Sequence, residues 1–186
     1  MAKKTRKKDI KNPVIIEGLP GMGNVGKIAV DFIVDSVNAT KYCEVTSKRF
    51  PSCVFVDDDN NIELPKVALF HKKIKTQDFI FVSGDIQPVN ELGCYEFCEQ
   101  VLKLFPKVKE VVTLGGIGLE ELPLEPKLYV AGTSRNVVTK YKLSKAKGNV
   151  GPIFGVSGIL VGMARERKIP GVILLAQTLA HPQYLG

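Results

Sequence analysis

This sequence predicts an α/β domain whose mixed, mostly parallel sheet is covered by helices on both faces, and three observations carry the prediction. Short, almost wholly apolar runs at 13–17 (PVIIE), 78–83 (DFIFVS), 110–114 (EVVTL) and 171–176 (GVILLA) have the composition of strands buried on both faces. Stretches with apolar residues at the helical period alternate with them, the pattern of helices packed on a parallel sheet. The first run passes through a glycine-rich loop directly into one of those stretches.

Taken in order, Pro13 to Glu17 is a strand that ends at Gly18. From Val25 the apolar residues fall at 25, 28, 29, 32, 33 and 37, a helix with Asn24 placed as its N-cap. Val45 to Phe50 and Cys53 to Val56 read as strands around Pro51, and Asp57 to Asn61 as a hairpin turn leading into Ile62 to Leu64. Lys66 to Ile74 is a further strand, and the hairpin character of 42–75 makes the sheet mixed. After the strand Asp78 to Ser83, a helix spans Glu91 to Phe105, with Leu92, Tyr95, Val101, Leu102 and Phe105 expected on its inner side, and Pro106 stops it. The strand Glu110 to Leu114 runs up to the glycines at 115–118. Lys127 to Ala131 is a strand, Ser157 to Lys168 a helix that Ser157 caps, and Gly171 to Ala176 the closing strand.

With 186 residues the chain can bury about 70% of its extended surface, enough for one core, and neither a repeat nor a linker divides it. The expected organisation is a basic, disordered tail over 1–11 and a single domain over 12–186. The tail carries six cations (Lys3, Lys4, Arg6, Lys7, Lys8, Lys11) against Asp9, so it supplies +5 of the formal +7. A body that is nearly neutral argues against nucleic acid as a partner. The tail lacks the apolar segment of a secretory signal, and the longest apolar tract, Pro152 to Ala164, is shorter than the roughly 20 residues of a membrane-spanning helix. A cytoplasmic, reducing setting follows as the expectation, with Cys43, Cys53, Cys94 and Cys98 as free, buried thiols. No metal is expected, because Cys94 and Cys98 supply half a site and His71 and His181 stand apart from them.

Gly21-x-Gly23-x-x-Gly26 has the dinucleotide spacing, and with Lys27 it approaches a phosphate-binding loop. Both matches break where the chemistry needs them. Ile28 stands where a hydroxyl would hold magnesium, Glu17 would repel phosphates, and Arg49 and Phe50 occupy the place of the ribose-binding acid. The loop therefore reads as a close-packed strand-to-helix turn and no cofactor is expected, although Gly21, Gly23, Asn24, Gly26 and Lys27 stay weak candidates for an anion site. Asp57, Asp59 and Asn61 imitate a calcium loop whose glycine and glutamate are replaced by Ile62 and Ala68, and Gly155-Val156-Ser157-Gly158-Ile159 lacks the final glycine of a nucleophile elbow. Gly84, Asp85, Gln87 and Pro88, after the strongest strand, are candidates for a cleft or partner contact, with Gly115 and Gly116 after the neighbouring strand. No catalytic residue is assigned, since no nucleophile has an evident base in the sequence.

The order of these blocks resembles a known family. Gly18-x-Pro20-Gly21-x-Gly23-Asn24-Val25-Gly26, Phe50-Pro51, Gly84-Asp85-x-Gln87-Pro88, Thr113-Leu114-Gly115-Gly116, Gly158-x-Leu160-x-Gly162 and Leu174-Leu175-Ala176-Gln177-Thr178 together resemble the proteasome assembly chaperone two family in its archaeal branch, from about residue 13 to 182. The resemblance implies a three-layer α/β/α sandwich similar to nucleoside phosphorylases, self-association into a homo-oligomer, and proteasome subunits as partners in core-particle assembly. Some relatives dock through a C-terminal hydrophobic-Tyr-any tail; Tyr184 stands third from the end here, so that mode is not carried over. The alternative to a non-enzymatic binding protein is a nucleoside- or phosphate-binding enzyme or sensor.

Overall fold

The computed structural model describes residues 2–4, 10–121, 123–141 and 151–179. In chain order its elements are β1 (Ala2–Lys4), β2 (Val14–Glu17), a 3₁₀ turn (Met22–Asn24), α1 (Val25–Ser36), β3 (Thr40–Val45), β4 (Phe55–Val56), β5 (Ile62–Glu63), β6 (Val67–Ile74), β7 (Gln77–Gly84), α2 (Glu91–Leu104), β8 (Glu110–Leu119), β9 (Leu128–Gly132), α3 (Arg135–Lys140), α4 (Val156–Glu166) and β10 (Gly171–Leu179). Eight strands form one sheet in the order β1-β3-β6-β7-β2-β8-β10-β9, and β4 and β5 form a separate hairpin.

The sheet is mixed, but mostly parallel is a correction to make. Only β7-β2, β2-β8 and β8-β10 are parallel, while β1-β3, β3-β6, β6-β7 and β9-β10 are antiparallel. The reason lies in the connections. A two-residue turn at Lys75 and Thr76, with Lys75 in the left-handed region (φ 54°), returns the chain at once beside β6, and a turn that short permits only antiparallel pairing. The parallel core survives where helices make the crossovers.

Alternate residues of the central strands feed two apolar layers, as the pleat requires. Ile15, Ile80, Val82, Val111 and Ile173 pack with α2 and α4 on one face, and Val14, Phe81, Val112 and Val172 with α1 and α3 on the other. The helices therefore cover both faces. Cys43, Cys94 and Cys98 are buried in the first of these layers as small apolar groups, whereas Cys53 is exposed.

Several boundaries differ from the sequence reading. Strand pairing of Ala2–Lys4 on β3 occupies part of the stretch expected to be a disordered arm; the edge of β3 offers unpaired backbone groups that extended residues of any side chain can satisfy. Strand β3 precedes the segment 45–50 expected to be extended. The glycines at 115–118 continue β8 rather than end it, because β10 pairs with them through Leu119. Helix α3, too short to show a period in the sequence, is capped by Ser134, whose hydroxyl accepts from the Val137 amide at 3.3 Å. Helix α4 begins at Val156 after Gly155 (φ 82°), so Ser157 lies inside the helix and is not its cap. Asn24 does hold the N-cap position of α1, in the left-handed region and without a capping side-chain bond. The Asp57 carboxylate accepts from the amides of Asp59 and Asn61 at 3.0 and 2.8 Å, the expected hairpin turn.

Both helix faces also need correction. Leu92 and Tyr95 of α2 are exposed, and Gly93, Cys94, Phe97, Cys98, Val101 and Leu102 are buried instead. In α1 the buried stripe is Gly26, Val30 and Val34, while Ile28 and Phe32 face outward.

Candidate functional site

The carboxyl ends of β2, β7 and β8 meet at a cavity of about 740 Å³, within the range of small-molecule and side-chain pockets. Its floor is built by close backbone contact. A Cβ on Gly18 would lie 2.1 Å from the Gly26 carbonyl oxygen, one on Gly26 2.2 Å from that of Leu114, and one on Gly116 2.2 Å from that of Met22. The glycines thus let the loop and the start of α1 lie directly on β8, the close-packed turn expected from the sequence.

Gln87 holds the far wall. Its amide nitrogen donates to the Pro20 carbonyl at 2.7 Å, and its carbonyl oxygen accepts from the Val156 amide at 3.4 Å, so one side chain ties the glycine loop to the start of α4. Asn90 caps α2 by accepting from the Gly93 amide at 2.8 Å. Together these contacts bring Gly21, Gly26, Gln87, Pro88, Gly115 and Gly116 to the cavity wall. Gly23, Asn24, Lys27, Gly84 and Asp85 stand outside it. Lys27 instead pairs with Asp31 at 2.8 Å and Asp85 at 3.0 Å on the outer side of α1; burial lowers its pKa, but its bonds to these two carboxylates outweigh that and the net direction is up. Ser83 donates to Asp31 beside this pair.

The residues that sequence reading missed are Glu17 and Ser157. Glu17 ends β2 between Val82 and Thr113 and is fully buried. One of its oxygens accepts from the Leu19 amide at 3.0 Å and the other from the Ser157 hydroxyl at 2.9 Å. Burial raises its pKa, these two bonds pull it only part of the way back, and the net value is about 7. The pair spans 140 positions, so no spacing rule could find it; the available signals were a carboxylate inside an apolar strand run and the incomplete nucleophile elbow around Ser157. From α2, Cys98 and Cys94 approach the same region with thiols that burial pushes up.

Around the mouth, Val89, Tyr95 and Phe154 are 67%, 50% and 85% exposed, and Leu92 lies beside Tyr95 one helical turn back. Among the described residues the wall contains Glu91 but neither lysine nor arginine. A second concavity, of about 1220 Å³, lies between the β4–β5 hairpin and α2 and is lined by Arg49, Phe50, Leu64 and Glu96. Among the described residues no group of His, Cys, Asp and Glu side chains is arranged to hold a metal, and no helix is long and apolar enough to cross a membrane.

Comparison with known proteins places this geometry in a family. The model of the PAC2 family matches residues 15–184. The chain is 36% identical to the uncharacterized protein MJ1210 of Methanocaldococcus jannaschii, over 97% of this chain and 72% of that protein. Its fold is similar to that of Pyrococcus furiosus PbaB, an archaeal proteasome activator, with a TM-score of 0.90 at 28% identity, covering 97% of this chain and 81% of that one. It is similar also to P. furiosus PbaA, an archaeal homolog of proteasome-assembly chaperone, with a TM-score of 0.79 at 21% identity over 98% and 79% of the two chains. A match over residues 15–184 of the 186 makes this chain a member of the PAC2 family.

Proposed function

We propose that this chain is a binding protein that assists assembly of the proteasome core particle, acting in the cytoplasm as a homo-oligomer and through contacts with proteasome subunits. Family membership and the likeness to PbaB and PbaA support the chaperone-like role. The observation that carries the reading to this chain is the exposed apolar collar of Val89, Leu92, Tyr95 and Phe154, since grouped apolar side chains on a surface of this kind mark protein contacts. Among the candidate residues, Gln87, Pro88, Gly115 and Gly116 serve this reading as the frame that holds the collar in place. Native mass spectrometry of the chain with α- and β-subunits of an archaeal core particle, with assembly followed in time, tests it. A complex and faster assembly are expected; neither a complex nor a change in rate would overturn the role.

The reading includes the sheet arrangement similar to nucleoside phosphorylases that the resemblance implies, which superposition on such an enzyme tests. A nucleoside- or phosphate-binding enzyme or sensor has less support. Lys27, the cation of the loop, is held by two carboxylates away from the cavity, and among the described residues the cavity wall offers an anion no basic side chain.

A further inference from the structure

We propose that Ser157 and Glu17 form a nucleophile–base pair, and that Ser157 accepts the acyl group of a small, uncharged, apolar ester held in the cavity at the strand ends. The proposal goes beyond the binding role and does not depend on it. Four observations converge. Ser157 lies on the cavity wall, and its hydroxyl donates to Glu17 at 2.9 Å, the contact a general base must make with the proton it takes. The Leu19 amide, at 3.0 Å on the other oxygen, fixes the carboxylate in place. Ser157 is in the first turn of α4, where its amide has no partner within the helix and can donate to a developing oxyanion. Among the described residues the wall is apolar apart from a few groups and carries no lysine or arginine, which selects an uncharged acyl compound over an anionic one.

The step balances without a further reactant. The Ser157 oxygen bonds to the acyl carbon, its proton passes to Glu17, and the ester carbon–oxygen bond breaks as the leaving alkoxide takes that proton and departs as the alcohol. Water then attacks the acyl-serine, gives its proton to Glu17, and the carboxylic acid leaves as Ser157 recovers its hydrogen. Burial holds Glu17 near pH 7, where a general base is most effective. The other titratable groups facing it, the thiols of Cys98 and Cys94 from α2, are pushed up by burial and do not ionise across the neutral range.

The test uses the full chain and an uncharged alkyl fluorophosphonate, which a serine attacks with formation of a P–O bond, loss of fluoride and transfer of the proton to the base. Peptide mass mapping locates the label, with exposed Ser52 as the internal reference. Expected is labelling of Ser157 at least 100-fold faster than of Ser52, with a rate that climbs with pH about a midpoint near 7. Labelling should vanish in Ser157→Ala and fall at least 100-fold in Glu17→Gln, both checked for fold by circular dichroism. Should Glu17→Gln fail to fold, the pH profile of the wild-type rate still decides. Labelling of Ser157 no faster than Ser52, or a rate that does not change between pH 6 and 8, would overturn the proposal and leave the pair a structural bond.

Discussion

Glu17 and Ser157, 140 positions apart in the chain, meet in a hydrogen bond of 2.9 Å beside the cavity wall that Ser157 lines. The same pair makes stability depend on pH. Glu17 has its folded pKa raised from 4.5 to about 7 by burial, so between those values the folded chain holds a proton that the unfolded chain has lost. More protons bound in the folded state means that stability falls as pH rises through this window. A difference of this size corresponds to about 3 kcal/mol when fully developed. We expect the melting temperature to drop from pH 5 to pH 8, and Glu17→Gln, which keeps an acceptor for Leu19 or Ser157 and removes the charge, to flatten the profile and raise stability at pH 8. Thermal unfolding of both proteins across that range checks it; equal slopes would sink the account. The other buried carboxylate with a resolved shift, Asp78, does not interfere. Burial raises it, but bonds from His71 and the Lys11 amide outweigh that and hold it below the ordinary range, so its contribution is lost only at acid pH.

The glycines of the first loop are expected to behave unequally, according to what a methyl group would meet. At Gly26 it would strike the Leu114 carbonyl and at Gly18 that of Gly26, both backbone atoms that cannot swing aside. At Gly21 the nearest atom is 4.0 Å away. Gly18→Ala and Gly26→Ala should each cost about 3 kcal/mol or prevent folding, and Gly21→Ala less than about 0.5 kcal/mol. Chemical denaturation of the three variants measures this. A large loss at Gly21 would instead mean that its conformation, not space, governs the loop.

Much of this arrangement was legible in the sequence, and the parts that were not share a cause. The parallel strands β2, β7, β8 and β10 announced themselves as apolar runs because both faces of each are covered. The glycine loop announced itself by composition. What failed was the assignment of faces. Counting apolar side chains places Ile28 and Phe32 inside, but the inner stripe of α1 starts from Gly26, which such a count omits because it has no side chain. Close approach to Leu114, not hydropathy, sets the rotation of that helix. Leu92 and Tyr95 mislead in the same way, since they are apolar at the helical period and yet exposed. Glu17–Ser157 was out of reach for a different reason: a contact between distant segments leaves no local pattern.

The rotation of α1 gives a direct test. Val30 is fully buried and Phe32 is 71% exposed on the same helix. Val30→Ala should cost about 2 kcal/mol through lost burial and the cavity left behind, whereas Phe32→Ala should lie within about 0.5 kcal/mol of wild type despite the larger deletion. Equilibrium unfolding in urea compares them. The reverse order would restore the face that counting apolar residues suggests.

The collar around the cavity separates folding from partner binding. Phe154 is 85% exposed and Tyr95 50% exposed, so neither contributes much to the core, yet both line the cavity. Phe154→Asp should change stability by less than about 0.5 kcal/mol. If the collar is the contact surface, the same substitution should weaken subunit binding by about 2 kcal/mol, roughly 30-fold, because an aromatic anchor is lost and a charge must be desolvated in its place. Leu64→Asp, a comparable change on the exposed hairpin at the second concavity, serves as the control and should leave binding unchanged. Titration of wild type and both variants against the isolated subunits measures this. Wild-type binding that survives Phe154→Asp moves the contact elsewhere on the molecule and leaves the assembly role standing. If the wild-type chain binds none of the subunits, the role itself fails.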